Sequence, residues 1–293
     1  MNRIMKASEF NCKLAQAARV EDGVHIRNAI TGQRPLDKEP LADHPNYEHL
    51  NNILRGRFVV PGLSRLLKAS LKAEAEIELE KYFNLLRQSE MTIVHADLAG
   101  QTSEKVIHSL INALPVEHLR NLTLWNLNIN DIKSTMYTFA NSAMKNMCNL
   151  TYLDLCYNMM GDDGVRHLAE GFPFVPRIEI LSLSWNNIAY EGTVHLATGI
   201  KHLIALTTIY YDGNDFGDRE LKCLFESLKH ISSLKQLVMS NNKVTKAGIL
   251  FLLGSVLHHL LGLSLLELSE NKIGSDKEKI EVLLANLSVD VYI

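Results

Sequence analysis

Apolar residues recur along the second half of this chain at a fixed spacing, and an asparagine returns in step with them. From Leu150 the order is Leu150, Leu153, Leu155, Asn158, Met160 and Gly164. The same template restarts at Ile178 (Leu181, Leu183, Asn186, Ile188, Gly192) and at Leu206 (Ile209, Tyr211, Asn214, Phe216). It restarts again at Leu234 (Leu237, Met239, Asn242, Val244, Gly248) and at Leu263 (Leu266, Leu268, Asn271, Ile273). Successive starts lie 28, 28, 28 and 29 residues apart. A fixed period in this range marks a solenoid, in which each unit buries its apolar face against its neighbours.

Two periods follow one another within each unit. The first segment alternates apolar and other residues, which predicts a short strand with its leucines on one face. After the asparagine the spacing turns helical, as in Gly164, Val165, Leu168, Ala169 and Phe172. A helix is wider than a strand, so stacking such units predicts an arc with the sheet inside and helices outside. Where the chain leaves the strand, backbone N–H and C=O groups lose their partners. A side-chain amide carries both donors and acceptors, so Asn158, Asn186, Asn214, Asn242 and Asn271 are expected to form a ladder along the array.

The template decays towards its ends. From Leu119 it yields Leu122, Leu124 and Ile129, with Leu127 in the asparagine place; from Ile93 it yields Ala96 and Leu98, with Gln101 there. The latter reads as an opening repeat, and Val289 to Ile293 alternates like a closing strand. Residues 91–293 thus hold about seven repeats. Ile249 to Leu268 is nearly continuous apolar sequence, but it contains His258 and His259 and its end falls on template positions. It is expected to be one repeat's helix running into the next repeat's strand, with no transmembrane segment.

Residues 1–90 lack the repeat and are expected to form a small α-helical cap or domain over the first edge of the core. Ser8 suits a helix cap, Gly32 to Pro45 reads as a loop, and Pro61 opens a helix or helix pair reaching about Arg87. Arg65, Lys68 and Lys72 share one helical face there, with Arg55 and Arg57 nearby.

These motifs resemble the leucine-rich repeat superfamily, in the version with a strand and a long helix that is found in ribonuclease inhibitors. The resemblance spans about residues 91–293. It implies an α/β solenoid, a horseshoe with a concave parallel sheet and convex helices, whose partners bind along the sheet and its loop edge. Ribonuclease inhibitors of animals are rich in cysteine, whereas this chain has four cysteines, so inhibition of a ribonuclease is not implied.

The strand positions between the leucines make up the inner wall. Both tryptophans of the chain, Trp125 and Trp185, fall there, with Tyr152, Tyr157 and Tyr210 in adjacent repeats. Core packing does not require aromatics at those positions, and tryptophan and tyrosine dominate interface energetics. The charges on the wall are of one sign: Asp97, Asp154, Asp212, Glu267 and Glu270, with no Lys or Arg. The expected binding residues are Trp125, Tyr152, Asp154, Tyr157, Trp185, Tyr210, Asp212 and Glu267, facing a protein partner with a basic contact surface.

Composition narrows the remaining classes. A net charge of −3 provides no global field for nucleic acid, and a hydrophobic content of 46% supports a folded chain. Scattered cysteines suggest reduced thiols in a cytosolic setting, and Met1 to Val20 lacks the apolar stretch of a secretory signal. No phosphate loop, His-Glu-x-x-His or Cys-x-x-Cys motif occurs. The expected protein is a non-enzymatic, cofactor-free and metal-free monomer. It also lacks the Cys-x-Asp motif of the bacterial ubiquitin ligases built on this repeat.

The repeats and small helical N-terminal region also resemble effectors that intracellular bacteria such as Legionella inject into host cells. That resemblance implies translocation into the host cytoplasm. Acidic Asp276, Glu278 and Glu281 before the hydrophobic end Val291, Tyr292, Ile293 are similar to some type IV secretion signals. A cytosolic eukaryotic adaptor is the competing expectation. The alternative from another class is a small-GTPase regulator of the leucine-rich repeat activating type, with Arg120 and Arg177 as its candidate arginines.

Overall fold

The computed structural model describes residues 57–59, 83–97 except 85, 104–127 except 126, 131–255, 260–274 except 261, 280 and 289–293. Nine strands form one parallel sheet whose spatial order is the chain order. They are β1 (Arg57–Val59), β2 (Ile93–Asp97), β3 (Asn121–Trp125), β4 (Tyr152–Asp154), β5 (Ile180–Ser182), β6 (Thr208–Tyr210), β7 (Gln236–Val238), β8 (Leu265–Glu267) and β9 (Asp290–Tyr292). Among the described residues these α-helices cross back between strands: α1 (Glu104–Ala113), α2 (Ile132–Thr138), α3 (Gly161–Gly171), α4 (Tyr190–Gly199), α5 (Asp218–Leu228) and α6 (Lys246–Ser255). Each inner strand pairs with its predecessor and successor, while β1 and β9 pair on one side only, so the sheet is open. The array is the α/β solenoid that the 28-residue period predicts.

The sheet starts earlier than the template. β1 falls within residues 1–90, where helices are expected, and pairs in parallel with β2 through Arg57 and Ile93. The Ser8 helix, the Gly32 to Pro45 loop and the Arg65, Lys68 and Lys72 face lie outside the described residues. The apolar run from Ile249 resolves into α6 and, further on, β8. Among the described residues no helix is long and apolar enough to cross a membrane.

The leucines do what their alternation demands. Leu153 and Leu155, Leu181 and Leu183, Ile209 and Tyr211, and Leu237 and Met239 enter one continuous core. From the helices Leu168, Leu196, Leu224 and Leu252 meet them, and Met160, Ile188, Phe216 and Val244 close each turn. Full burial of one such side chain is worth roughly 1.5–3 kcal/mol.

The asparagine ladder spans the repeats. Asn186 is wholly buried. Its Nδ2 donates to the carbonyls of Leu155 (2.8 Å) and Leu183 (3.1 Å). Its Oδ1 accepts from the N–H groups of Asn158 (3.1 Å) and Met160 (3.3 Å). Asn214 repeats this pattern against Asn186 and Ile188, and Asn271 carries it to Val244. At the degenerate end Leu127 supplies no amide, yet its N–H still donates to Asn158 Oδ1 at 2.8 Å.

The repeat between β3 and β4 is longer than those that follow it. Thr151 bonds back to Arg120 across 31 residues, against 28 for Asn158 and Asn186. The surplus is absorbed on the helical side, where α2 runs into a π-helical turn (Phe139–Ala143) and a 3₁₀ turn (Met144–Asn146). A wider turn takes in extra residues without moving the strands out of register.

Candidate functional site

Register sorts the side chains opposite the leucine core into rows. Tyr152, Ile180, Thr208, Gln236, Leu265 and Asp290 pair in one row; Asp154, Ser182, Tyr210, Val238, Glu267 and Tyr292 pair in the next. A third row runs just past the strands through Cys156, Ser184, Asp212 and Ser240. Trp125 heads it, two residues beyond the Thr123 that pairs with Asp154. The fourth row is the residue before each ladder asparagine: Tyr157, Trp185, Gly213, Asn241 and Glu270. None of these row residues belongs to the leucine core.

The fourth row shares an unusual backbone. Its five residues have φ of 60°, 60°, 60°, 54° and 58° in chain order. The reason is the hydrogen bonding: each N–H must still reach the next repeat as the chain turns. Tyr157 donates to the Ser184 carbonyl (3.0 Å), Trp185 to Asp212 (2.7 Å), Gly213 to Ser240 (3.0 Å) and Asn241 to Ser269 (3.0 Å). Glycine adopts this left-handed conformation freely and asparagine tolerates it. A bulky residue there costs on the order of 1–3 kcal/mol. Gly213 shows that the repeat does not need a side chain at this place, so Tyr157 and Trp185 carry strain that the fold does not demand.

These two aromatics form a ledge. Their rings are 5.8 Å apart and within 4° of parallel. The Trp185 ring also lies over Gly213, where an added Cβ would stand 2.4 Å from Cδ2. Tyr157 is 42% exposed and Trp185 half-buried. Among the described residues the buried Trp185 indole Nε1 has no hydrogen-bond partner, a second cost.

A separate polar cluster surrounds Asp154. Its carboxylate accepts from the Tyr152 hydroxyl (3.2 Å) and the Cys156 N–H (3.1 Å). The Cys156 thiol and Trp125 indole also favour its charged form. Cys156 Sγ in turn lies 2.8 Å from Ser182 Oγ. Burial nonetheless outweighs these donors and raises the Asp154 carboxyl above the ordinary aspartate range. Burial, then the charge of Asp154, push the Cys156 thiol up as well, the opposite of what a nucleophilic cysteine needs. Tyr152 and Tyr210 are likewise shifted upward by burial first, with neighbouring aspartates adding to it.

The aspartates thus differ from the sequence expectation of an acidic wall open to a partner. Asp154 and Asp212 are 2% and 0% exposed, and Tyr210 is 2% exposed. Asp212 is tied down by the Ser184 hydroxyl (3.1 Å) and the Ser240 N–H (2.8 Å). The physical reason is that the stacked strands set donors from the same and the adjoining repeats directly against these carboxylates. Glu267 is half-buried, and Oε1 takes both of its hydrogen bonds, from Ser269 N–H (2.9 Å) and the Ser240 hydroxyl (3.3 Å). Glu270 is exposed. Trp125 and Tyr152 are half-buried, and Trp125 stands by Asp154, a row away from Trp185. The candidate arginines are both exposed, and Arg177 is held by Asn149 at 3.0 Å. Among the described residues no group of His, Cys, Asp and Glu is arranged to hold a metal ion.

A leucine-rich repeat family model matches residues 146–169 and 178–197, two of the units that carry the wall. These two units are leucine-rich repeats. No curated protein matches it. Among solved structures, internalin C2 from Listeria monocytogenes is similar at 19% identity, over 80% of this chain and 91% of that one, with a TM-score of 0.41. The template located Tyr157 and Trp185 on the wall, at the place before the ladder asparagine, but not the left-handed backbone that they share. The signal was present in Gly213 and Asn241, the two residue types that favour positive φ, standing one repeat apart in the same place.

Proposed function

We infer that this leucine-rich repeat protein is a non-catalytic protein-binding module whose contact surface is the open wall and its loop edge. The observation that carries this reading is the Tyr157–Trp185 ledge. Two large aromatics stand outside the leucine core, at backbone positions that disfavour them, with Tyr157 substantially exposed. Retention of local strain is the usual accompaniment of a binding site, and exposed tyrosine and tryptophan are the commonest anchors of interfaces. The partner's contact surface is basic. Glu267 and Glu270 remain accessible on the wall, and none of the four rows from β4 to β9 contains Lys or Arg.

The test pairs capture with a matched variant. Tyr157→Asn/Trp185→Asn keeps a residue type that the turn accepts, as Asn241 does. A partner retained by the native chain from cell lysate should be lost by the double variant, with an unchanged unfolding midpoint. Equal capture by both chains refutes the reading.

A further inference from the structure

The row of turn residues changes character in order along the solenoid. It begins with the stacked rings of Tyr157 and Trp185, passes Gly213 with no side chain, and reaches Asn241 and then Glu270. Neither the Asn241 amide nor the Glu270 carboxylate makes a hydrogen bond or ion pair among the described residues, and both are at least partly exposed. Glu267, three residues before Glu270, spends only one of its oxygens on the protein. Hydrogen bonds join Trp185, Gly213 and Asn241 to the following turns, so the row keeps strand-like spacing of about 4.8 Å per repeat.

We propose that this row is a track for an extended basic segment of a protein. One arginine guanidinium lies on the Tyr157–Trp185 ledge, and a second cation meets Glu270 and Glu267. The inference rests on the protein-binding reading and specifies its ligand. Three repeats separate Trp185 from Glu270, a span of about 14 Å, which an extended chain covers in about four residues. Arginine suits the ledge because its guanidinium is planar and weakly hydrated, and stacks on aromatic faces where an ammonium does not lie flat. The Trp185 indole covers Gly213, so the connecting backbone runs past the ring, and the Asn241 amide beyond it offers both a donor and an acceptor.

The experiment uses the full chain and fluorescein-labelled peptides of serine and glycine bearing two arginines. One peptide has them four residues apart, one has them adjacent, one replaces the first by lysine, and one replaces both by glutamate. Anisotropy at low salt should show saturable binding of the spaced peptide and none of the acidic one. Adjacent placement, or lysine at the ledge position, should weaken binding. Trp185→Asn should lower affinity about tenfold, and Glu270→Gln about threefold. Tyr157→Asn serves as a second ledge variant should Trp185→Asn unfold. Equal binding of the spaced and adjacent peptides, or indifference to both variants, overturns the track. If no basic peptide binds while the Tyr157→Asn/Trp185→Asn variant still loses its captured protein, the track falls and the broader binding reading stands.

Discussion

The indole of Trp185 lies on the backbone of Gly213, so closely that a Cβ added to that glycine would stand 2.4 Å from the ring's Cδ2. The two residues occupy the same place in successive repeats, and both have φ of 60°. Gly213→Ala therefore meets two penalties, a left-handed alanine and a displaced indole. A loss of about 2 kcal/mol is expected in urea unfolding. Combining it with Trp185→Asn should recover part of that loss, a coupling of about 1 kcal/mol between neighbours. Strict additivity of the two changes would show that the ring does not rest on Gly213.

Tyr157 carries the same backbone strain with less packing to offset it. Tyr157→Gly removes a left-handed bulky residue at a site that glycine adopts freely. Stability should stay within about 1 kcal/mol of the native value, on either side, while partner capture falls. A destabilisation well beyond that range would assign the tyrosine to the fold rather than to binding.

Asn186 sits at the centre of the ladder with no exposed surface. Asn186→Leu retains volume but strands the Asn158 and Met160 N–H groups, while the Leu155 and Leu183 carbonyls keep a donor each from Asn158 and Asn214. Each orphaned group costs roughly 1–3 kcal/mol, so a loss of about 4 kcal/mol is expected. Asn271 is half-buried at the end of the array, and the same change there should cost less. Equal losses at the two positions in denaturant titrations would contradict the ladder's end-to-end gradient.

Asp154 gives the fold a distinctive pH response. Its folded carboxyl is raised by burial, so between the unfolded value, about pH 4, and the raised folded value the native state binds more protons than the unfolded state. Stability then falls as pH rises through that window, and is greatest on its acidic side. Asp163, lowered chiefly by its hydrogen bond to Lys133, works in the other direction and loses its contribution in acid. Subtracting the unfolding free energies of Asp154→Asn from those of the native chain, pH by pH, isolates the first effect. That difference should decline with rising pH; a flat difference would mean Asp154 ionises without cost.

The sequence by itself determined the repeat, the alternation that sends Leu153 and Leu155 inward, and the role of Asn158, Asn186, Asn214, Asn242 and Asn271. These follow from local periodicity and from the backbone's need for partners wherever a strand ends. It also placed Tyr157 and Trp185 on the wall by their place in the template, directly before the ladder asparagine, although a strict period of two would turn them inward with Leu155 and Leu183. Only the tertiary structure decided that a strand begins at Arg57, that Asp154, Asp212 and Tyr210 are buried on that same wall, and that Trp185 lies across Gly213. Those outcomes depend on atoms 28 to 36 residues away in the chain, brought within hydrogen-bond or ring-contact distance by stacking. A pattern along one repeat says which way a side chain points, but not what the next repeat sets against it.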